Sequence, residues 1–387
     1  MIIPNDWNMA KFGDLAKITC GVAATPEYVD AAIGVPFLSA RNVQNGRLDL
    51  SYFQHIPTAL HEKLTKNTKP QKGDILLTRV GAGIGEAAVI DIDLEFSVYV
   101  SLTLIKCKEG IHSNYIKSLL DTNYYRYLAT RDQFAGGGVQ NLNVQMVKEY
   151  PIPVPPLLEQ AKIARILSTW DKAITTTEQL LANSQLQKKA LMQQLLTGKK
   201  RLLDKNGVRF SGEWKNKQLS EVANVYQPKT ISQSMLTDTG YPVYGANGII
   251  GFYGEFNHEN EQIAVTCRGS TCGVVNWTQA KSWITGNAMV INTDNTPSVS
   301  KRFLFYVLDG SNLSYLISGS GQPQITGNIK THIINIPVLK EQQRIATVLS
   351  TADQEITALQ QKLNALKQEK KALMQQLLTG KRRVKIQ

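Results

Sequence analysis

Apolar residues recur in alternating steps of four and three along two stretches of the chain. From Glu341 the positions Ile345, Leu349, Ala352, Ile356, Leu359, Leu363, Leu366, Leu373 and Leu377 form such a series, with Lys370 in the one vacant place. That spacing is the seam of a coiled coil, so a long helix needing a partner is expected there. From Glu159 the same seam returns as Ile163, Leu167, Trp170, Ile174, Leu181, Leu191 and Leu195, interrupted by Thr177, Ser184 and Lys188. The two stretches align without a gap at an offset of 182 and share 25 of 43 residues. Each helix has a sister in the same chain.

The regions before the helices repeat as well, with a different pattern. Continuous apolar runs ending in glycines, ILLTRVGAGIG and IAVTCRGSTCG, match Thr78 to Thr266, Gly81 to Gly269 and Gly85 to Gly273 at an offset of 188. Each predicts a buried strand closed by a tight turn. An amphipathic helix is expected after Ser113 and after Ser300, with serine as a plausible N-cap in both. Strand-like Ile152-Pro153-Val154 and Ile336-Pro337-Val338 precede the long helices, and prolines 153, 155, 156 and 337 stop any earlier helix from running into them. The opening blocks around Trp7 and Trp214 match at an offset of 207. The fall from 207 to 188 gives the first domain 19 extra residues in that interval. One framework with one divergent insert suits a protein that reads two targets, whereas neutral drift in loop length is the plainer alternative.

The expected fold is therefore α+β: two mixed α/β domains at 1–156 and 205–338, separated by helices at 157–199 and 339–381. The helices should pair as an intramolecular antiparallel two-helix coiled coil with pseudo-twofold symmetry. A helix of about 39 residues is roughly 58 Å long. A domain of the intervening size is about 35–40 Å across, so parallel pairing would leave it unable to carry the chain back. Dyad-related domains on duplex DNA would meet half-sites about 34–36 Å apart, or a multiple of that.

Composition narrows the chemistry. Lys and Arg outnumber Asp and Glu by 43 to 31, a net charge of +12, which suits a polyanionic partner but also simple solubility. Cys20, Cys107, Cys267 and Cys272 show no paired metal or disulfide spacing, and no metal site is expected. With no leader pattern and no membrane-length apolar run, a cytoplasmic location without membrane contact is expected. Gly81-Ala82-Gly83-Ile84-Gly85 invites a nucleotide or S-adenosylmethionine loop. Its counterpart Gly269-Ser270-Thr271-Cys272-Gly273 keeps only the outer glycines, which favours a turn. No phosphate loop occurs, nor an Asn-Pro-Pro or Asp-Pro-Pro run of the kind that aminomethyltransferases use to hold a flipped adenine, so no catalytic residues are expected. Side chains able to read bases are Arg41, Asn42, Arg79, Arg131, Gln133, Gln140 and Asn141 in the first domain and Asn247, Arg268, Gln322 and Gln324 in the second. Basic clusters at Lys188-Lys189, Lys199-Lys200-Arg201, Lys370-Lys371 and Lys381-Arg382-Arg383 fit either helix-end charge complementation or phosphate contact.

With these features in place, the chain resembles the specificity subunit of type I restriction-modification systems over essentially its whole length. The resemblance is carried by the E-Q-x-x-I-A motif within Pro156–Ala164 and Pro337–Ala346, the repeated KKALMQQLLTGK, and YPVYGANGIIGFY from Tyr241 to Tyr253. It implies two target-recognition domains that bind a bipartite, asymmetric site on double-stranded DNA, with the helical pair setting the gap. It also implies a non-catalytic subunit that recruits two modification subunits and two restriction subunits. S-adenosylmethionine, ATP and Mg belong to those partners, and no cofactor is expected on this chain. A stand-alone methyltransferase using Gly81–Gly85, or a scaffold that binds only protein, are the alternatives.

Overall fold

Ile75–Thr78 is buried on both faces because it lies in the middle layer of its domain. Ile75 and Leu77 pack with the helices, whereas Leu76 points into a separate cluster with Leu38, Phe96 and Leu104. Ile263–Thr266 repeats this arrangement, with Ile263 and Val265 on one side and Ala264 on the other, beside Tyr244 and Ile284. An unbroken apolar run is what a strand covered on both faces requires. The computed structural model describes residues 3–22, 26–66, 68–132, 141–246, 248–319 and 322–385.

The chain forms two compact units, residues 1–177 with 362–387 and residues 178–361. The division cuts across both long helices, so each unit holds a domain together with parts of both helices. In the first unit an antiparallel sheet has the order Ala16–Cys20, Leu102–Cys107, Ile75–Thr78, Ala87–Val89. In the second the order Asn224–Tyr226, Ala288–Asn292, Ile263–Thr266, Val275–Trp277 is the same. A smaller sheet joins Gly34–Leu38 to Gln54–Pro57 antiparallel and to Ser97–Val98 parallel. Its counterpart joins Tyr241–Gly245 to Gly248–Tyr253 and to Trp283–Ile284.

Strand pairing locates the extra residues of the first domain. Gly34 and Tyr241 match at an offset of 207, but their partners Pro57 and Tyr253 match at 196. Eleven residues therefore lie between the paired strands. Eight more fall before Thr78, in the interval that holds the helix Thr58–Thr65. Residues 39–53 form a one-turn 3-10 helix, Ala40–Asn42, and a ribbon of Val43–Gln44 with Arg47–Leu48. Its turn is Asn45-Gly46, at φ 52° and 74°, the pair that a two-residue hairpin favours.

The helix expected after Ser113 begins one residue earlier in its cap: His112 is the N-cap and Ser113 the first helical residue. Ser300 does cap the second copy and accepts from the Phe303 amide. The 188 offset pairs Ser300 with His112, so the first copy has no serine at its cap.

Both long helices run 39 residues, Leu157–Leu195 and Leu339–Leu377. Seam positions Ile163, Leu167, Ile174, Leu181, Leu195, Ile345, Leu349, Leu363 and Leu377 are buried, and Trp170, Leu191, Ala352, Ile356, Leu359, Leu366 and Leu373 half-buried. Within each unit the helices pair antiparallel. In the first, Lys370 Nζ lies 2.7 Å from Asp171; in the second, Lys188 Nζ lies 2.6 Å from Asp353 and over the ring of Tyr306. These lysines and these aspartates are equivalents at the 182 offset. The equivalent vacancies at 188 and 370 are thus each filled by a cation with its own anion, which a seam position tolerates at some cost and which fixes register.

Where each helix starts, its acid-amide pair does the joining. Glu159 and Glu341 are fully buried. Arg383 donates to both oxygens of Glu159 at 2.8 Å, and Arg201 to both of Glu341 at 2.6 and 2.7 Å. Arg383 also grips Asp6, whose carboxyl it holds below the usual carboxylate range. Gln160 accepts from the His112 amide and donates to the Gly110 and Pro155 carbonyls; Gln342 repeats this with Ser300, Ser298 and Pro337. Arg201 and Arg383 are therefore joints of the scaffold, a use beyond charge complementation or phosphate contact, and Lys188 and Lys370 fill the seam positions that the spacing gives them.

Removing one partner of such a pair leaves a buried carboxylate without its cation. Arg201→Met should lower the stability of the second unit by about 3 kcal/mol, near the low end for buried pairs because Arg201 keeps some solvent contact. Adding Glu341→Gln should restore part of that loss. Urea unfolding of the whole chain checks this, and a single-variant loss below about 1 kcal/mol would contradict it.

Candidate nucleic-acid interface

In each unit a glycine turn stands beside the connection that leaves the first strand of the smaller sheet. Gly81 and Gly85 take φ 94° and 85°, and Gly269 and Gly273 take 82° and 93°, all in the left-handed region. Gly83 does not. The outer glycines are needed for backbone geometry, and at Gly85 a Cβ would also lie 2.9 Å from that of Ala129. The glycine loop is a turn in both copies.

In the first unit this turn and residues 39–45 enclose an open cleft of about 560 Å³, lined by Arg41, Gln44, Glu86 and Tyr99 among others. The walls are fastened at several points. Ala40 N donates to Ser101 Oγ, Asn45 N to the Glu86 carboxylate, and Gln44 Nε2 to the Arg41 carbonyl. In the second unit the paired strands close at Gly245 and Gly248, and the Thr266 and Thr271 hydroxyls both donate to the Ala246 carbonyl. Ile249 and Ile250, nearly half exposed, stand at this hairpin end. A polar rim in one copy and an apolar tip in the other give one framework two different contact surfaces.

The candidate readers separate into distinct groups. Asn42 is 2% exposed; it donates to the Asp49 and Tyr52 carbonyls and accepts from the Ser39 amide. Arg79 is 8% exposed and donates to the Leu142 and Val100 carbonyls. Both are corrected from base readers to internal braces, because burial has committed their polar atoms to backbone. Arg131 is exposed but its guanidinium faces Asp132 through two hydrogen bonds. Arg41 is exposed and stacks over Tyr52, its guanidinium carbon 5.1 Å from the ring centroid. Asn141, Arg268, Gln322 and Gln324 are exposed. Asn141 bridges Val80, and Arg268 bridges Gln324, so the segments around Asn141 and Gln324 lie beside the glycine turn in the two units. Gln133, Gln140 and Asn247 lie outside the described residues. Gln44, Tyr52 and Tyr99 join the site without a motif of their own, although Asn45-Gly46 between alternating residues signals a hairpin inside the interval that carries the insert, and Glu86, which by sequence suits a turn or cap, lines the cleft.

One cluster resembles hydrolytic machinery. His61 Nδ1 lies 3.0 Å from Ser97 Oγ and its Nε2 lies 3.2 Å from Glu95. Ser97 is 2% exposed within its strand, so no substrate carbonyl can reach the hydroxyl, and the contact instead ties the helix Thr58–Thr65 to the small sheet. No group of three potential metal ligands occurs among the described residues, and no helix there is long and apolar enough to cross a membrane.

The sequence pattern of the type I restriction modification DNA specificity domain matches this chain at residues 4–184 and again at 211–368. The chain belongs to this family. Its relatives include the putative type I restriction enzyme MjaX specificity subunit of Methanocaldococcus jannaschii, 26% identical, with 99% of this chain and 95% of the relative covered. The MjaVIII specificity subunit of the same organism is 25% identical over 99% of this chain and 94% of its own length. A type I restriction-modification S subunit from M. genitalium shares the fold at a TM-score of 0.68, with 15% identity over 100% of this chain and 99% of that one. A chain from a type I system solved for its assembly and conformational transition matches at 0.55, with 17% identity over 98% and 99%. This specificity subunit thus works with DNA and with restriction-modification subunits, as the DNA-recognising and generally non-catalytic part of such systems.

In the specificity subunit Asn42 should be a brace. Asn42→Ala removes three buried hydrogen bonds and should destabilise the first unit by about 2–3 kcal/mol. An Asn42→Ala chain of wild-type stability with an altered base preference, measured by melting and duplex competition, would overturn this placement.

Proposed function

We propose that the chain reads a bipartite, asymmetric site on double-stranded DNA, one half per domain, with the coiled coil setting the gap. It assembles two modification subunits and two restriction subunits on that site. It carries no catalytic residue and binds no cofactor; S-adenosylmethionine, ATP and Mg serve the partner subunits, in the cytoplasm. The observation that carries this reading is the pair of domains built on one topology, with a polar cleft in the first and an apolar hairpin tip in the second, each joined to the helices by the same Glu–Arg and Gln–backbone contacts. Repeated joints with divergent rims suit two readers held at a defined spacing. A net charge of +12 suits the phosphate contacts that supply much of the affinity for DNA.

A stand-alone methyltransferase is disfavoured by the glycine loop, whose outer glycines serve a turn that the second copy makes equally well. Expression of the chain with its modification subunits in a host lacking other adenine methylation should produce one gapped motif with unlike halves. A methylome without a new motif, or one with a single uninterrupted motif, would contradict the reading.

A further inference from the structure

Arg41 is held for a task that its own domain does not use. Its guanidinium makes no hydrogen bond or ion pair with any described residue, which leaves five donors unspent. The groups beside it in the chain are committed. The Ala40 amide is tied to Ser101 Oγ, the Arg41 carbonyl accepts from Gln44, and the next side chain, Asn42, is buried in three hydrogen bonds. The backbone on both sides of Arg41 is therefore fixed. Tyr52 lies beneath the guanidinium, and the platform is fixed too: its carbonyl accepts from Asn42 and its hydroxyl from Gln54 Nε2 at 2.7 Å. A cation stacked on an aromatic face keeps its in-plane donors directed outward while losing little further freedom on binding. Arg41 borders both the 560 Å³ cleft and an adjoining one of about 220 Å³.

The charge around Arg41 selects the kind of group it meets. Glu86 lines the larger cleft, half-buried and fixed by the Asn45 amide. A carboxylate there repels a phosphate, but it does not repel a base edge, and it can accept from the amino group of cytosine. A forked donor facing a cleft with a carboxylate wall matches guanine O6 and N7 beside the cytosine amino group. We propose that Arg41 reads a guanine in the half-site of the first domain through a bidentate pair, with Tyr52 as its positioning residue. This rests on the function proposed above and adds to it the residue, the base and the half-site. The second domain lacks the insert that carries Arg41 and Tyr52, so the contact belongs to one half alone.

The test uses the complete chain assembled with its modification subunits. Binding is measured by competition between the cognate duplex and duplexes substituted at each specified position in turn. For the wild type, each substitution should weaken binding by about tenfold to a hundredfold. For R41A, discrimination should collapse to near one at a single guanine position of one half-site and persist elsewhere, with melting unchanged because Arg41 is exposed. Y52L should reduce discrimination at that same position only, and R41K should restore part of it. An R41A profile unchanged at every position, or an equal loss of affinity for all duplexes with the profile kept, overturns the proposal, the latter outcome identifying a phosphate contact. A wild-type complex that prefers no gapped duplex refutes the underlying function instead, which separates the two failures.

Discussion

Two fully buried carboxylates, Glu159 and Glu341, hold the molecule's parts in place. Each sits where a long helix begins, and each is neutralised by an arginine that follows the end of the other long helix. A carboxylate in such a place costs several kcal/mol unless it is paired and hydrogen-bonded. Only one mutual arrangement of the two helix ends satisfies it. The adjacent glutamines extend the constraint, since Gln160 and Gln342 bind backbone in the loops before Ser113 and Lys301. Each domain is thereby joined to both helices, and its hydrophobic core continues into them through Ile163 and Leu377 in one unit and Leu195 and Ile345 in the other.

This arrangement lets the exposed edges of the two domains differ. The sheets, with their middle strands covered on both faces, set the strand pairing, and residues 39–53 connect strands whose register does not depend on them. Eleven residues can be inserted between paired strands because the ends of a hairpin stay in register whatever lies beyond its last pair. The insert provides its own order through the Asn45-Gly46 turn and the internal hydrogen bonds of Asn42. One framework can therefore present a polar rim in one domain and isoleucines in the other.

Much of this is legible in the sequence because duplication repeats it. Seam spacing, the constant offset of 182 and the glycines that survive in both copies each follow from geometry, which neighbouring residues express directly. The roles of Asn42 and Arg79 are not legible in this way. Both residue types read bases when exposed; Asn42 is enclosed only once residues 39–53 fold around it, and Arg79 meets carbonyls 21 and 63 residues further along the chain. Glu159 and Gln160 stand in plain view within a repeated motif, yet Arg383 lies at the far end of the chain from Glu159 and the backbone that Gln160 holds includes His112 and Gly110, so only the folded structure shows what the motif holds. Lys188 and Lys370 are visible as breaks in the seam, but Asp353 and Asp171 become their partners only once the helices run antiparallel.

The central claim is that recognition and spacing are separate: the domains choose bases and the coil sets distance. Removing one heptad from both long helices together keeps the face of each helix nearly unchanged, within about 20°, while shortening it by about 10 Å. The methylome of cells carrying that variant with its partner subunits is the most direct test. The account predicts the same two half-sites with a shorter gap between them. A variant that methylates sites with altered bases in either half would contradict it.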